Sequence, residues 1–176
     1  MNPALNRDYS KYYTRPETAD LLVEMADIQE DMTILEPSAG SGAIVKAIRG
    51  IWSDSVEIHA VEIKPFVVCQ QLIQSNADIT IIGDFLKVPL EGAEYHRVIA
   101  NPPFGNETDL TCHWVKMYNC LRTYGIIVSI VPSDFVIPKS SVGKELKRVP
   151  LENWGTNKDG TVTPICIVVF GKHWPA

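Results

Sequence analysis

Residues 32–51 read Met32-Thr33-Ile34-Leu35-Glu36-Pro37-Ser38-Ala39-Gly40-Ser41-Gly42-Ala43-Ile44-Val45-Lys46-Ala47-Ile48-Arg49-Gly50-Ile51. Met32 to Glu36 is short and apolar, the pattern of a buried strand, whereas Ile44, Val45, Ile48 and Ile51 line one helical face. Between them, Ser38 to Gly42 is a turn of small residues. Strand, turn and helix in this order open a βαβ unit, which implies a parallel neighbour and a sheet carrying helices. Gly40 and Gly42 lack a Cβ, so the backbone there can approach a ligand closely. The stretch is not GxGxxG, because Val45 holds the third glycine position. Alone it is equally a plain strand-to-helix turn and a cofactor site.

The flanking sequence continues the alternation. Upstream, Thr14-Arg15-Pro16-Glu17 reads as a helix start, with Thr14 and Glu17 at capping-box spacing and a proline in the first turn. Leu21, Leu22 and Met25 follow at helical spacing. Downstream, Val56 to Glu62 alternates like a strand, and Pro65 to Ser75 is a helix ending near Asn76. Ile79 to Ile82 is a third strand running into Gly83-Asp84-Phe85, and Tyr95 to Ala100 a fourth, stopped by Asn101-Pro102-Pro103. Leu110, Trp114, Met117, Tyr118 and Leu121 predict a helix closed by Gly125. Ile126 to Val131 is a fifth strand, Ser140 to Arg148 a short helix, and Thr163 to Phe170 a further strand. The expected fold is an α/β, Rossmann-like, mainly parallel sheet with helices on both faces. Ligands of such sheets sit outside the C-terminal ends of the strands, and the unusual residues of this chain lie there.

A chain of 176 residues suits one domain, here residues 12–176 after a polar lead-in over 1–11. With 45% hydrophobic and 21% charged residues, the composition is that of a soluble globular protein. No apolar run approaches the roughly 18–20 residues of a membrane span, and Met1 to Ser10 lacks a signal-peptide pattern. A cytoplasmic location without membrane contact is therefore expected. Cys69, Cys112, Cys120 and Cys166 show no CxxC spacing and read as small buried residues of a reducing compartment. Cys112-His113 has no second pair at ligand spacing, so no metal site is expected. The net charge of -5 argues against a broad phosphate-binding surface. Lys139, Lys144, Lys147 and Arg148 form either a positive rim or, more simply, a solvated helix face.

Three further features fall at strand ends. Glu62 lies 22 residues beyond Gly40, the offset at which nucleotide-binding folds place an acid on the ribose hydroxyls. Asp84 offers an acceptor for an adenine amine and Phe85 a ring to pack on the base; the alternative is a loop acid beside a core phenylalanine. Most specific is Asn101-Pro102-Pro103-Phe104. Two successive prolines remove two backbone donors and fix φ, leaving free carbonyls between a side-chain amide and an aromatic ring.

With these residues in place the chain resembles the class I S-adenosylmethionine-dependent methyltransferases. Within them it looks closest to the adenine-N6 DNA methyltransferases with an NPP-aromatic motif. Leu35-Glu36-Pro37-Ser38-Ala39-Gly40-Ser41-Gly42 matches that family's cofactor turn, and Tyr13-Thr14-Arg15-Pro16-Glu17 its N-terminal cofactor-contacting segment. The resemblance implies a seven-stranded sheet with the last strand antiparallel and S-adenosylmethionine as cofactor. It implies cofactor contacts from Tyr13, Thr14, Glu36, Pro37, Ser38, Ala39, Gly40, Gly42, Glu62, Asp84, Phe85 and Asn101, and catalysis by Asn101, Pro102, Pro103 and Phe104. The expected reaction is methylation of the adenine N6 amine, with DNA favoured over RNA as the nucleic-acid partner. RNA adenine or guanine amines, a protein glutamine amide, or an inert methyltransferase-like binding subunit are the alternatives. No separate target-recognition region is expected within the 176 residues, so a recognition subunit or a homodimer is the expected complement.

Overall fold

A computed structural model describes residues 13–63, 67–90, 92–103, 107–151 and 164–174. The elements run α1 (Pro16–Met25), β1 (Thr33–Glu36), α2 (Ala43–Trp52), β2 (Glu57–Glu62), α3 (Val67–Ile73), β3 (Ile79–Ile82) and β4 (Tyr95–Ala100). They continue with α4 (Glu107–Cys120), β5 (Leu121–Pro132), β6 (Gly143–Leu151) and β7 (Ile165–Lys172). The strands form one seven-stranded sheet in the order β3-β2-β1-β4-β5-β7-β6, and β7 runs antiparallel to both neighbours. The strand order reverses between β1 and β4, the switch point where sheets of this kind open a ligand crevice.

Alternation along the strands builds two cores, because successive side chains point to opposite faces. Ile34, Ile58, Ala60, Ile99 and Val128 pack under α1 and α2 through Leu22, Ile44 and Ile48. Leu35, Val61, Val98, Ala100 and Ile127 face α4 through Leu110, Trp114 and Met117. The two layers are not equally helical. Residues 83–90 and 92–94, between β3 and β4, and residues 133–142, between β5 and β6, form no helix. Phe85, Val88 and Phe135 from these segments fill the α4-side core. Trp114 Nε1–H donates to Ser141 Oγ at 3.1 Å, and Tyr118 OH pairs with the Val142 backbone, fastening the second segment down.

Two sequence expectations fail for tertiary reasons. Ser140 to Arg148 reads as a helix, yet Gly143–Leu151 is the edge strand β6. The apolar β7 is buried along almost its whole length and needs a second hydrogen-bonded neighbour, which β6 supplies. A Cβ at Gly143 would sit 2.1 Å from Gly171 O, so only glycine allows this close start. Lys144 and Lys147 are exposed on this edge strand, while Arg148 pairs with Glu145 at 2.8 Å; the solvated helix face is a solvated strand edge that resists further pairing. Leu121, placed by its spacing on α4, instead opens β5 opposite Tyr95, and regular pairing resumes only at Arg97↔Ile126. Helix α4 therefore ends before Gly125. Lys172 Nζ donates to the carbonyls of Tyr118 and Leu121 at 3.2 and 2.6 Å, satisfying acceptors that a helix end leaves open. Among the described residues no helix is long and apolar enough to cross a membrane.

Candidate active site

The turn after β1 is lashed to the end of β2. Ala39 N–H donates to Val61 O at 2.9 Å, and Gly40 N–H donates to the Glu62 carboxylate at 2.7 Å. The 22-residue offset thus joins turn and acid directly. The two glycines serve different neighbours. Gly40 (φ +54) lies under the Tyr13 ring, where a Cβ would come 3.1 Å from Cδ1. Gly42 (φ +78) is buried, and a Cβ there would lie 2.7 Å from both Cβ and Oγ of Ser75. The expectation that Gly42 clears space for a ligand is therefore corrected: the space it leaves is taken by Ser75 and Leu72 at the end of α3. Gly42→Ala combines that collision with a left-handed φ, so it should destabilise the fold by about 2 kcal/mol or more. A chemical-denaturation midpoint equal to that of the unaltered protein would contradict this packing.

Glu36 occupies an unusual position. Its side chain is 2% exposed, it accepts the Val45 amide near the start of α2, and its Oε2 has no partner among the described residues. Burial first, and the nearby Glu62 charge second, push its carboxyl well above the usual carboxylate range, against the opposing effect of Val45. A carboxyl whose folded pKa is raised stabilises the fold fully below its unfolded value, near 4.5, and loses that contribution as pH rises through the folded value. The ligand-free protein should therefore lose stability above that pH in urea titrations, and Glu36→Gln should flatten the slope. Identical slopes for the two proteins would show that Glu36 carries no such proton.

Asp84 closes a turn. Its Oδ1 accepts Leu86 N–H at 3.0 Å, and Oδ2 pairs with Lys87 at 3.2 Å. Phe85 is a core residue instead of an open platform: it is 3% exposed, with His113 tilted against it at 5.8 Å and Lys116 Nζ 5.2 Å from its centroid. A side chain that sequence reasoning passed over, Ile63, directly follows Glu62 and is 55% exposed at the same edge. Its signal in the sequence is an apolar residue continuing past the strand-end acid.

Asn101 follows β4 and is 9% exposed; Pro102 is buried and Pro103 half-buried. Phe104 lies outside the described residues. Asn101 Nδ2–H donates to Thr14 Oγ1 at 3.2 Å. The capping box does not form, because α1 begins after Arg15 with no side-chain cap. Tyr13, Thr14, Ser38, Ala39, Gly40, Ser41, Ala43 and Asn101 together line a cleft of about 220 Å³, open to solvent. Pro37 is buried beneath the turn. Ser41 and Ala43 join the lining without having been singled out from the sequence, although both lie in the stretch that decides the fold. Among the described residues no group of His, Cys, Asp and Glu gathers as metal ligands; His113 instead pairs with Asp109 O at 2.8 Å within α4.

A switch-point cleft, a left-handed glycine turn and a strand-end acid bound to that turn fit a nucleoside cofactor. The fold is that of class I S-adenosylmethionine-dependent methyltransferases of known structure. The chain belongs to the N-6 DNA Methylase family, whose sequence model matches residues 3–118. A curated relative, the ribosomal RNA small subunit methyltransferase A of Synechococcus sp. (strain CC9311), is 36% identical over 91 residues, covering 48% of this chain and 32% of the relative. Among solved structures, the M protein of the type I restriction enzyme EcoKI superposes with a TM-score of 0.74 at 14% identity, covering 96% of this chain and 45% of that one. An RNA methyltransferase from Salinibacter ruber, in complex with S-adenosyl-L-homocysteine, gives 0.63 at 17% identity, covering 91% and 93%. At such identities the structural likeness shows the fold alone. The chain spans about a third of the curated relative's length and less than half of the EcoKI M protein.

Proposed function

We propose that this chain methylates the exocyclic N6 amine of adenine in DNA, with Asn101, Pro102, Pro103 and Phe104 as the catalytic set. The observation that carries the reading is the placement of Asn101, followed by two prolines, in the same cleft as the glycine turn. When bound, S-adenosylmethionine supplies a methyl group on a positively charged sulfur. An adenine amine is a poor nucleophile because its lone pair is delocalised into the ring. Asn101 Oδ1 and the Pro102 carbonyl accept its two hydrogens, which draws the nitrogen toward tetrahedral geometry and frees the lone pair for in-line attack. The amine loses its proton after transfer, so the site needs no ionised base; its contribution is positioning and fixed dipoles. Phe104 stacks on the base, a contact worth roughly 1–3 kcal/mol in single-strand binders, and in a duplex the base is flipped out to reach it. Glu62 takes the ribose hydroxyls, Asp84 the adenine amine of the cofactor, and Ile63 in place of Phe85 the face of that ring. Tyr13, Thr14, Glu36, Pro37, Ser38, Ala39 and Gly40 shape the methionine end.

Family membership supports methylation at N6, and the net charge of -5 supports a partner, a recognition subunit or a second copy, that supplies the basic surface. We place the reaction in the cytoplasm, in keeping with the unbridged thiols of Cys112 and Cys166. A second reading, adenine in structured RNA, draws support from the 36% identity to a ribosomal RNA methyltransferase. Labelled methyl transfer run in parallel on duplex DNA, single-stranded DNA, RNA and protein separates them. Label in DNA is expected; label in RNA alone would shift the assignment to the second reading.

A further inference from the structure

Thr14 precedes Asn101 by 87 residues, yet its Oγ1 accepts the Asn101 Nδ2–H at 3.2 Å. Its hydroxyl is not used as a helix cap, since α1 starts after Arg15 without one. Both side chains line the same cleft, and the adjacent Tyr13 lies over Gly40. We propose that Thr14 is a positioning residue for methyl transfer, holding the Asn101 amide in the plane and orientation that turn Oδ1 toward the substrate amine. The inference rests on the reading of Asn101 as the amine's acceptor.

The two ends of an asparagine amide are nearly identical in shape and opposite in hydrogen bonding. An amine entering the site brings N–H donors, so an amide presenting Nδ2 would set donor against donor and leave the lone pair delocalised. With Nδ2 engaged by Thr14, Oδ1 is the end of the amide directed at the amine. The anchor is well supported: Thr14 lies two residues before Pro16, whose ring fixes φ, and α1 is seated on the sheet through Thr18, Ala19, Leu22 and Val23, all buried. The N-terminal segment thereby joins the two halves of the site, with Tyr13 on the cofactor turn and Thr14 on the catalytic amide.

The test compares the unaltered chain with Thr14→Val, which removes the hydroxyl at nearly constant shape, and Thr14→Ser, which keeps it. Single-turnover transfer from methyl-labelled S-adenosylmethionine, at saturating cofactor, is measured on adenine-containing duplex DNA and on RNA, and S-adenosylhomocysteine affinity is measured by calorimetry. At saturating cofactor Thr14→Val is expected to slow transfer about tenfold, the scale of one orienting hydrogen bond, over and above any change in cofactor affinity. Thr14→Ser is expected to restore the rate to within about twofold. The Asn101 side-chain amide resonance, identified by its disappearance in Asn101→Ala, should shift in Thr14→Val and return in Thr14→Ser. An unchanged rate, a loss carried wholly by weaker cofactor binding, or an unmoved amide resonance would each overturn the inference. Failure of the unaltered chain to methylate either polymer would overturn the reading beneath it, whereas the amide resonance reports on the Thr14–Asn101 contact without turnover.

Discussion

Asn101→Ala is expected to reduce methyl transfer by about 10²–10³-fold or more, the cost of removing one preorganised polar group from a transition state, while cofactor affinity stays within about threefold. The asymmetry follows from position. Asn101 stands at the end of β4, and its amide is tied to Thr14, whereas the glycine turn and its acid are held by β1, β2 and α2. Removing the amide leaves that second framework intact. The fold should survive as well, since the lost Thr14 contact is a neutral hydrogen bond worth about 1 kcal/mol at the edge of an open cleft. Calorimetry with S-adenosylhomocysteine beside a labelled-transfer assay separates the two effects. Full activity of the variant would remove Asn101 from the mechanism.

Glu62→Ala should weaken cofactor binding by about 10–100-fold, since a hydrogen bond to a charged group is worth roughly 1.5–3 kcal/mol. Two losses coincide there. The ribose hydroxyls lose their acceptor, and Gly40 N–H loses the carboxylate that holds the turn at 2.7 Å. Glu62→Gln separates them, because its amide oxygen still accepts from Gly40 without the charge. An intermediate affinity is expected for it. Unchanged affinity of Glu62→Ala by calorimetry would move the ribose contact elsewhere.

How much of this was legible in the sequence differs between elements. Local signals sufficed where one strand and one turn decide the matter: Tyr95–Ala100 has the boundaries read from the sequence, and the prolines after it stop the strand. The seven strands and the antiparallel last strand came from resemblance, because periodicity carries no information about strand direction, and the strand order came from the structure. β6 was misread for a physical reason: its Lys- and Glu-rich stretch satisfies a helical pattern, and only the demand of β7 for a partner makes it a strand. In the site, the spacing singled out Gly40 and Glu62 together, whereas the hydrogen bond between them came from the structure. Three details could not. Gly42 serves Ser75, Phe85 belongs to the core beneath α4, and Thr14 turns to Asn101 instead of capping α1. Each depends on a neighbour far away in the chain, which a local motif does not encode.

The central claim is that the Asn101-Pro102-Pro103 site delivers a methyl group to the N6 amine of adenine. The most direct measurement digests DNA methylated by the unaltered chain to nucleosides and locates the label by mass spectrometry, with Asn101→Ala as control. N6-methyldeoxyadenosine, absent from the Asn101→Ala reaction, is the predicted product. Label on a guanine amine, on a ring nitrogen or on protein, or N6-methyldeoxyadenosine formed equally well without Asn101, would contradict it.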